Sequence, residues 1–461
     1  MRFAQPSLRG EKLLLPALVF VVLTIAAVGS LGAPLIPTVA KVTHVSLASA
    51  QWTLTITFLM GALATPVLGR LGDGPHRRQV IISTLSLMLL GSILTALPLP
   101  FAFLIAGRGL QGLGLALTPL AIASARDHLP AERAGAAAAT LSITTVAGVG
   151  LGYPLSGILT QEFSLRVAYG AGAVVVGAAL LAAVLILPST GHRPYRSLDT
   201  TGALVLGVCL AVLLYAISQA ASWGIGSSRF LGVATAALVG LSIWVPFELR
   251  QAHPIVDLRQ LRHRAVLNAS LTALLGGTSM YLLLSTASRY VQTPATTGYG
   301  FGSSVIIAGC ILVPFSFFGF VANRASPWIA ARTSMRALLP IGCAIVMVSM
   351  TAFAVNRSHI WEIYVILGIA GFGVGCTFAA MPNEIVEVVP TGEISSALSF
   401  NRVLQSLGYS TGSALGGVIL EANTRRGAVL PSEHGYVAAS WIGVAILAGT
   451  IALTQILKDA R

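Results

Sequence analysis

An arginine inside an apolar helix is costly. The chain has one in Leu104-Ile105-Ala106-Gly107-Arg108-Gly109-Leu110-Gln111-Gly112. At membrane depth a guanidinium holds an anion or tunes a nearby carboxyl, unless it only snorkels to a surface. Gln111, three residues on, shares its helix face, and Gly112 follows. A second polar set, Asn401, Arg402 and Gln405, is spaced i, i+1, i+4 in another apolar run. It suits cavity lining, or hydrogen bonding between helices. Tyr281, with Tyr290 and Gln292 nearby in sequence, is a weaker candidate for such lining.

Two further segments act through shape and charge. Gly69-Arg70-Leu71-Gly72-Asp73-Gly74-Pro75-His76-Arg77-Arg78 joins two helices tightly and offers Arg77 and Arg78 to the Asp73 carboxylate. Such a cluster can latch one state of a rocking bundle; a plain turn with stop-transfer charges has the same composition. In Gly148-Val149-Gly150-Leu151-Gly152-Tyr153-Pro154-Leu155-Ser156-Gly157, the residues Gly148, Gly152 and Gly157 permit close helix approach and Pro154 bends the helix.

The elements that must position these residues follow from composition. Of 461 residues, 55% are hydrophobic and 9% charged. With a mean hydropathy of +0.84 there is too little polar surface to cover a soluble globule, and disorder is excluded for the converse reason. The solvent is lipid. The net charge of +13 comes from 28 Lys+Arg against 15 Asp+Glu, but only Lys12, Lys41 and Lys458 are lysines. No basic patch carries interleaved aromatics, so nucleic acid is not a partner. Cys209, Cys310, Cys343 and Cys376 each lie in an apolar run and form no disulfide framework.

Fourteen apolar runs are long enough to span a bilayer, near 14–39, 53–71, 80–97, 101–124, 138–159, 167–187, 202–218, 230–247, 267–287, 304–321, 338–355, 361–381, 397–420 and 436–457. The first follows Arg2, Arg9 and Lys12 but is longer than a signal-peptide core. With the N-terminus inside, cytoplasmic segments hold 19 cations and outer ones seven, Arg289 among the latter. Both termini are therefore expected in the cytoplasm. Segment 383–396 departs from the bias, with Glu384, Glu387, Glu393 and no cation.

An internal repeat is visible. Gln111-Gly112-Leu113-Gly114 matches Ala370-Gly371-Phe372-Gly373 at an offset of 259, and Gly148, Gly152 and Gly157 match Gly408, Gly412 and Gly417 at 260. Paired six-helix repeats are a transporter architecture. The offset exceeds what six helices need, so the expected organisation is 6+2+6: an N-terminal half over 1–190, two inserted helices with linkers over 191–262, and a C-terminal half over 263–461.

These motifs together resemble the major facilitator superfamily, specifically its 14-span drug:proton antiporter branch. The loop follows that family's G-x-L-[GA]-D-[RK]-x-G-R-[RK] pattern at Gly69, Leu71, Gly72, Asp73, Arg77 and Arg78, departing at Gly74 and His76. The fourth span follows L-x-x-x-R-x-x-Q-G-x-G at Leu104, Arg108, Gln111, Gly112 and Gly114. The antiporter motif of the fifth span is looser, because Tyr153 interrupts its Gly-Pro and Ser156 replaces a glycine. Leu198-Asp199-Thr200-Thr201-Gly202-Ala203 and Pro254-Ile255-Val256-Asp257-Leu258 around the inserted helices also look like this branch. The resemblance implies an all-α membrane protein of 14 helices that exports small amphipathic compounds by alternating access.

One departure bears on mechanism. Exporters of this branch carry an Asp in the first span where this chain has Val28. Another carboxylate must then take the proton, or coupling differs. Glu384 beside Pro382 is the leading alternative, though an exposed charge in an acidic loop reads the same way; Glu162 and Glu362 lie near outer helix ends. A uniporter or importer of a polar or anionic solute is the competing reading.

There is no G-x-x-x-x-G-K-[ST] and no His-x-x-x-His or Cys-x-x-Cys pair, so ATP-driven pumping, zinc chemistry and an enzymatic role are not expected. No cofactor is called for beyond a proton gradient. The expected setting is the plasma or inner membrane, with a small-molecule substrate, lipid as the surrounding partner, and a monomer as the working unit.

Overall fold

The computed structural model describes residues 8–73, 75–188, 199–219, 223–224, 226–251, 254, 258–389, 394–425, 428 and 430–459. Among the described residues there are helices and turns and no strand. This is the outcome lipid imposes, because a helix satisfies its own backbone polar groups.

The helices are α1 (Leu8–Gly29), α2 (Ile36–Thr43), α3 (Leu47–Asp73), α4 (Arg77–Ala96), α5 (Phe101–Gly112), α6 (Leu117–His128), α7 (Ala131–Glu162), α8 (Leu165–Ile186), α9 (Thr200–Ser218), α10 (Ser228–Arg250), α11 (Arg264–Gln292), α12 (Val305–Cys310), α13 (Val313–Arg332), α14 (Leu338–Val355), α15 (Ile360–Val388), α16 (Ile394–Ala422) and α17 (Glu433–Asp459). Pairs α1/α2, α5/α6 and α12/α13 are single apolar traverses with a break inside them. Among the described residues, eleven traverses are long and apolar enough to cross a membrane, and α7, α9 and α16 bring the helical segments to fourteen.

The breaks have local causes. Between α1 and α2 lies Gly29-Ser30-Leu31-Gly32, followed by a 3-10 turn over Ala33–Leu35 that contains Pro34. Pro314 opens α13, and a 3-10 turn, Leu113–Ala116, follows Gly112. A proline cannot donate to the helix ladder and a glycine weakens it, so these are the cheapest places to interrupt a span.

Helices α1–α8 pack as one bundle and α11–α17 as another. Each has its own apolar core, one around Leu18, Leu85 and Val176, the other around Leu283, Phe353 and Leu367. The glycine repeat is realised contact by contact. A Cβ on Gly112 would come 2.2 Å from Thr57 O on α3, and one on Gly371 would come 2.0 Å from Phe315 O on α13. Likewise Gly152 abuts Ser30 after α1, while a Cβ on Gly412 would lie 2.1 Å from Thr278 O on α11. Gly157 and Gly417 face the opposite bundle, at Ile306 and Gln51 respectively.

The bundles meet along two seams, α3 with α16 and α7 with α12 and α13. Helix α9 lies on both α3 and α16, and α10 lies on α9. Leu206, Leu210 and Trp244 of this pair pack with Leu59 and Phe400, and Trp244 Nε1 donates to Gly202 O at 2.9 Å. Leu204, Val208 and Ile243 face outward, as a lipid-facing surface requires.

The end of the bundle that carries the loop between α3 and α4 is called the basic end here. At the opposite end the bundles close on one another. Gln292 Nε2 donates to Pro34 O at 3.0 Å, Gln51 Nε2 to Ser413 Oγ at 2.7 Å, and Ser410 Oγ to Thr55 O at 3.0 Å. Among the described residues, α1 and α6 are not packed against α11 or α15 at the basic end.

Candidate functional site

Arg108 is fully buried on α5, seven residues from the helix start at the closed end. Its Nε donates to Thr53 O at 3.1 Å, and its Nη1 to Val28 O at 3.3 Å and to Gln111 Oε1 at 2.8 Å. Gln111 in turn donates to Ser92 Oγ at 3.1 Å and Thr95 Oγ1 at 3.3 Å. The guanidinium therefore does not snorkel; every acceptor named is neutral, and one is the backbone carbonyl of Val28. Arg108 Nη2 and Tyr169 Oη on α8 are both buried without a hydrogen-bond partner, and the two side chains are within electrostatic reach of each other. Nη2 also borders the break in the first span, 3.9 Å from where a Gly32 Cβ would lie.

Four rings converge beside this arginine, from four helices of both bundles. Tyr281 of α11 meets Phe58 of α3 edge-on at 4.3 Å and Tyr409 of α16 at 4.6 Å; Phe58 and Tyr409 are 5.3 Å apart. The Tyr153 hydroxyl of α7 lies within electrostatic reach of the Tyr281 hydroxyl. Phe58 and Tyr153 are buried while Tyr281 and Tyr409 are partly open, so solvent reaches one side of the cluster. Arg402, Tyr409 and Ser413 share a face of α16 by their spacing of seven and four. Arg402 is exposed and within electrostatic reach of Tyr409.

The other candidates scatter. Asn401 is buried and donates to Ala269 O of α11 at 2.9 Å, a bond between helices rather than a cavity wall. Gln405 is buried and accepts from Arg402 Nη1 at 2.5 Å. Tyr290 lies in an aromatic group with Phe353 and Tyr436, and Gln292 forms the closing bond to Pro34. Glu384 is 2% exposed, so it is not the exposed loop charge its acidic neighbourhood allowed; Asn268 Nδ2 donates to it at 3.4 Å. Pro154 stays inside an unbroken α7, next to Tyr153.

In the loop motif, Arg77 forms an ion pair with Asp127 at the end of α6 and donates through Nε to Gly72 O at 2.7 Å. Arg78 donates to Leu187 O at 2.8 Å and Val184 O at 2.7 Å, closing the end of α8. These partners all belong to the N-terminal bundle. The Asp73 side chain falls outside the described residues, as does Glu387; Gly69 lies within α3.

Phe58, Tyr153, Tyr169 and Tyr409 join the site without being among the residues singled out by type and spacing. Tyr153 had a signal, since it is the residue that splits the Gly-Pro of the antiporter motif. The charge count over the connecting segments places Arg289 in an outer connection. It lies inside α11, which runs on to Gln292, and is 4% exposed with Nη1 at 3.5 Å from Gln51 Oε1. The helix extends because the opposing bundle supplies polar partners there, a tertiary effect that periodicity does not carry.

The family description Major Facilitator Superfamily matches residues 18–413. An MFS-type transporter of Mycobacterium tuberculosis is 27% identical over 341 residues, which is 72% of this chain and 48% of that protein. The chain thus spans about half the length of that relative. Multidrug resistance protein B homolog of the same organism is 25% identical over 378 residues, 80% of this chain and 68% of the relative. A crystal structure of a peptide transporter, POT, superposes with a TM-score of 0.68 at 15% identity, covering 96% of this chain and 94% of that one. At such identity the likeness concerns the fold.

Proposed function

Because the chain belongs to the major facilitator superfamily, we propose that it is a secondary active transporter that exports small amphipathic organic compounds by alternating access. The observation that carries this reading is the ring cluster of Phe58, Tyr153, Tyr281 and Tyr409, built from both bundles at their interface. A site shared by two bodies is remade whenever they rock, so binding and reorientation are coupled by construction. An aromatic-walled, partly open cluster suits flat amphipathic solutes.

In this reading the transport core is 1–190 and 263–461, with the α9/α10 hairpin outside it. The basic end faces the cytoplasm with both termini, the state described is open inward, and the working unit is a monomer in the plasma or inner membrane. Asp73, Arg77 and Arg78 act as a latch at the cytoplasmic face. Gly148, Gly152, Pro154 and Gly157 shape the helix that presents Tyr153. Glu384, buried between α11, α15 and α16, is the proton-carrying carboxylate in place of the missing first-span acid, and Arg108 is the polar anchor of the substrate site.

The test is accumulation of a fluorescent amphiphile in cells with and without the protein, each with and without a protonophore. Lower accumulation that the protonophore abolishes is the expected result, and equal accumulation in all four arms refutes export. A second reading, transport without proton coupling, is favoured by one observation: residue 28 is Val and Arg108 binds its carbonyl. Efflux insensitive to the protonophore would select it.

A further inference from the structure

Charge around the ring cluster has one sign. Arg108 is fully buried against neutral acceptors, and Arg402 opens to solvent on the face of α16 that carries Tyr409. Among the described residues every Asp and Glu stands close to a helix end, Glu384 being the most deeply set, so no carboxylate shares the depth of this cluster. A cationic amphiphile would meet two guanidinium groups and no counter-charge. An anion would meet the reverse.

Two donors are also left over. Arg108 Nη2 and Tyr169 Oη are buried, without partners, and near each other beside the break between α1 and α2. Burying a guanidinium without an anion is expensive, and an orphaned N–H adds the desolvation cost of that group. Both costs are removed by one ligand, a carboxylate, which accepts from a guanidinium and a phenol together. The neighbouring broken span is the backbone arrangement that transporters use to surround a substrate's charged group.

We propose that the substrate is an aromatic organic anion, its carboxylate received by Arg108 Nη2 and Tyr169 Oη and its ring held by Phe58, Tyr153, Tyr281 and Tyr409. This rests on the export reading and deepens it by naming a chemical class. The substrate then supplies the negative charge that residue 28 does not. The order of preference is aryl carboxylate over its neutral amide over its ammonium analogue, the inverse of what an acid at residue 28 would select.

The experiment is titration calorimetry of the purified full chain in lipid nanodiscs with 1-naphthoate, 1-naphthamide, 1-naphthylmethylammonium and acetate. Naphthoate is expected to bind at least tenfold more tightly than each of the other three. Acetate tests whether an anion alone is enough, and the amide whether a ring alone is. Arg108→Gln should bring naphthoate down to the amide, Arg108→Lys should keep part of the preference, and Tyr169→Phe should weaken naphthoate severalfold without affecting the amide. The wild-type series stands without any variant, so misfolding of Arg108→Gln does not protect the proposal. Naphthoate binding no tighter than the amide or the ammonium, acetate binding as tightly as naphthoate, or no binding by any of them overturns it. Calorimetry involves no flux, so failure of the class and failure of export are separate results.

Discussion

Replacing Gln51 with alanine removes the side chain that ties α3 to α16 and α11 at the closed end. The 2.7 Å bond from Gln51 to Ser413 joins two buried groups and is worth about 0.5–1.5 kcal/mol net. The 3.5 Å approach of Arg289 is too long to add much directly. Its loss nevertheless leaves a buried guanidinium poorer by one acceptor, and only while the ends are closed, because opening returns both groups to water. The variant therefore destabilises the closed state selectively, by about 1–2 kcal/mol, and the ratio of outward-open to closed molecules rises about 5- to 30-fold. Spin labels at Lys41→Cys and Thr297→Cys report it by pulsed electron resonance. Both positions are exposed at this end, one in each bundle, in a background with the four native cysteines replaced. A distance distribution in Gln51→Ala that matches the parent means that these bonds do not hold the closure, and the population argument fails with it.

Three other outcomes follow from the packing and charge. Gly412→Ala drives a Cβ into Thr278 O and should cost about 1–3 kcal/mol, seen as a lower melting temperature. Gly449→Ala meets nothing within 4 Å and should be neutral or slightly stabilising; equal effects would mean α11 and α16 do not touch as described. Asp127→Asn neutralises a partly exposed carboxylate paired with the buried Arg77 and should lose about 1–2 kcal/mol of stability; an unchanged melting curve would show that the ion pair carries no weight. Reporter fusions after Lys458 should behave as cytoplasmic and fusions between α16 and α17 as external, since one helix more or fewer reverses the second result.

The fold was legible where it depends on local chemistry. Apolar runs mark the spans, and the glycines at offsets of 259 and 260 mark the repeat, whose members Gly112 and Gly371 each abut a backbone carbonyl of the equivalent neighbour. Arg108 stands out because a charge in an apolar run is costly unless it snorkels to a surface. What stayed hidden depends on which distant residue comes opposite. Phe58 and Tyr409 are ordinary aromatics in ordinary helices until α3 and α16 meet. Asn401 and Gln405 looked alike in spacing, and only the position of Ala269 O decides that Asn401 serves packing. Glu384 looked exposed because its neighbours are acidic and near a loop, yet the end of α15 is covered by α11 and α16.

The α9/α10 hairpin lies on one seam only. Along α3 and α16 it stands between the bilayer and the joint, with Leu206, Leu210 and Trp244 filling the place an acyl chain would take. The joint between α7 and α12/α13 has no such cover among the described residues. The hairpin thus makes the two seams unequal: one is shielded from lipid by protein, while the other, where Tyr153 of α7 packs on Gly309 of α12, is not.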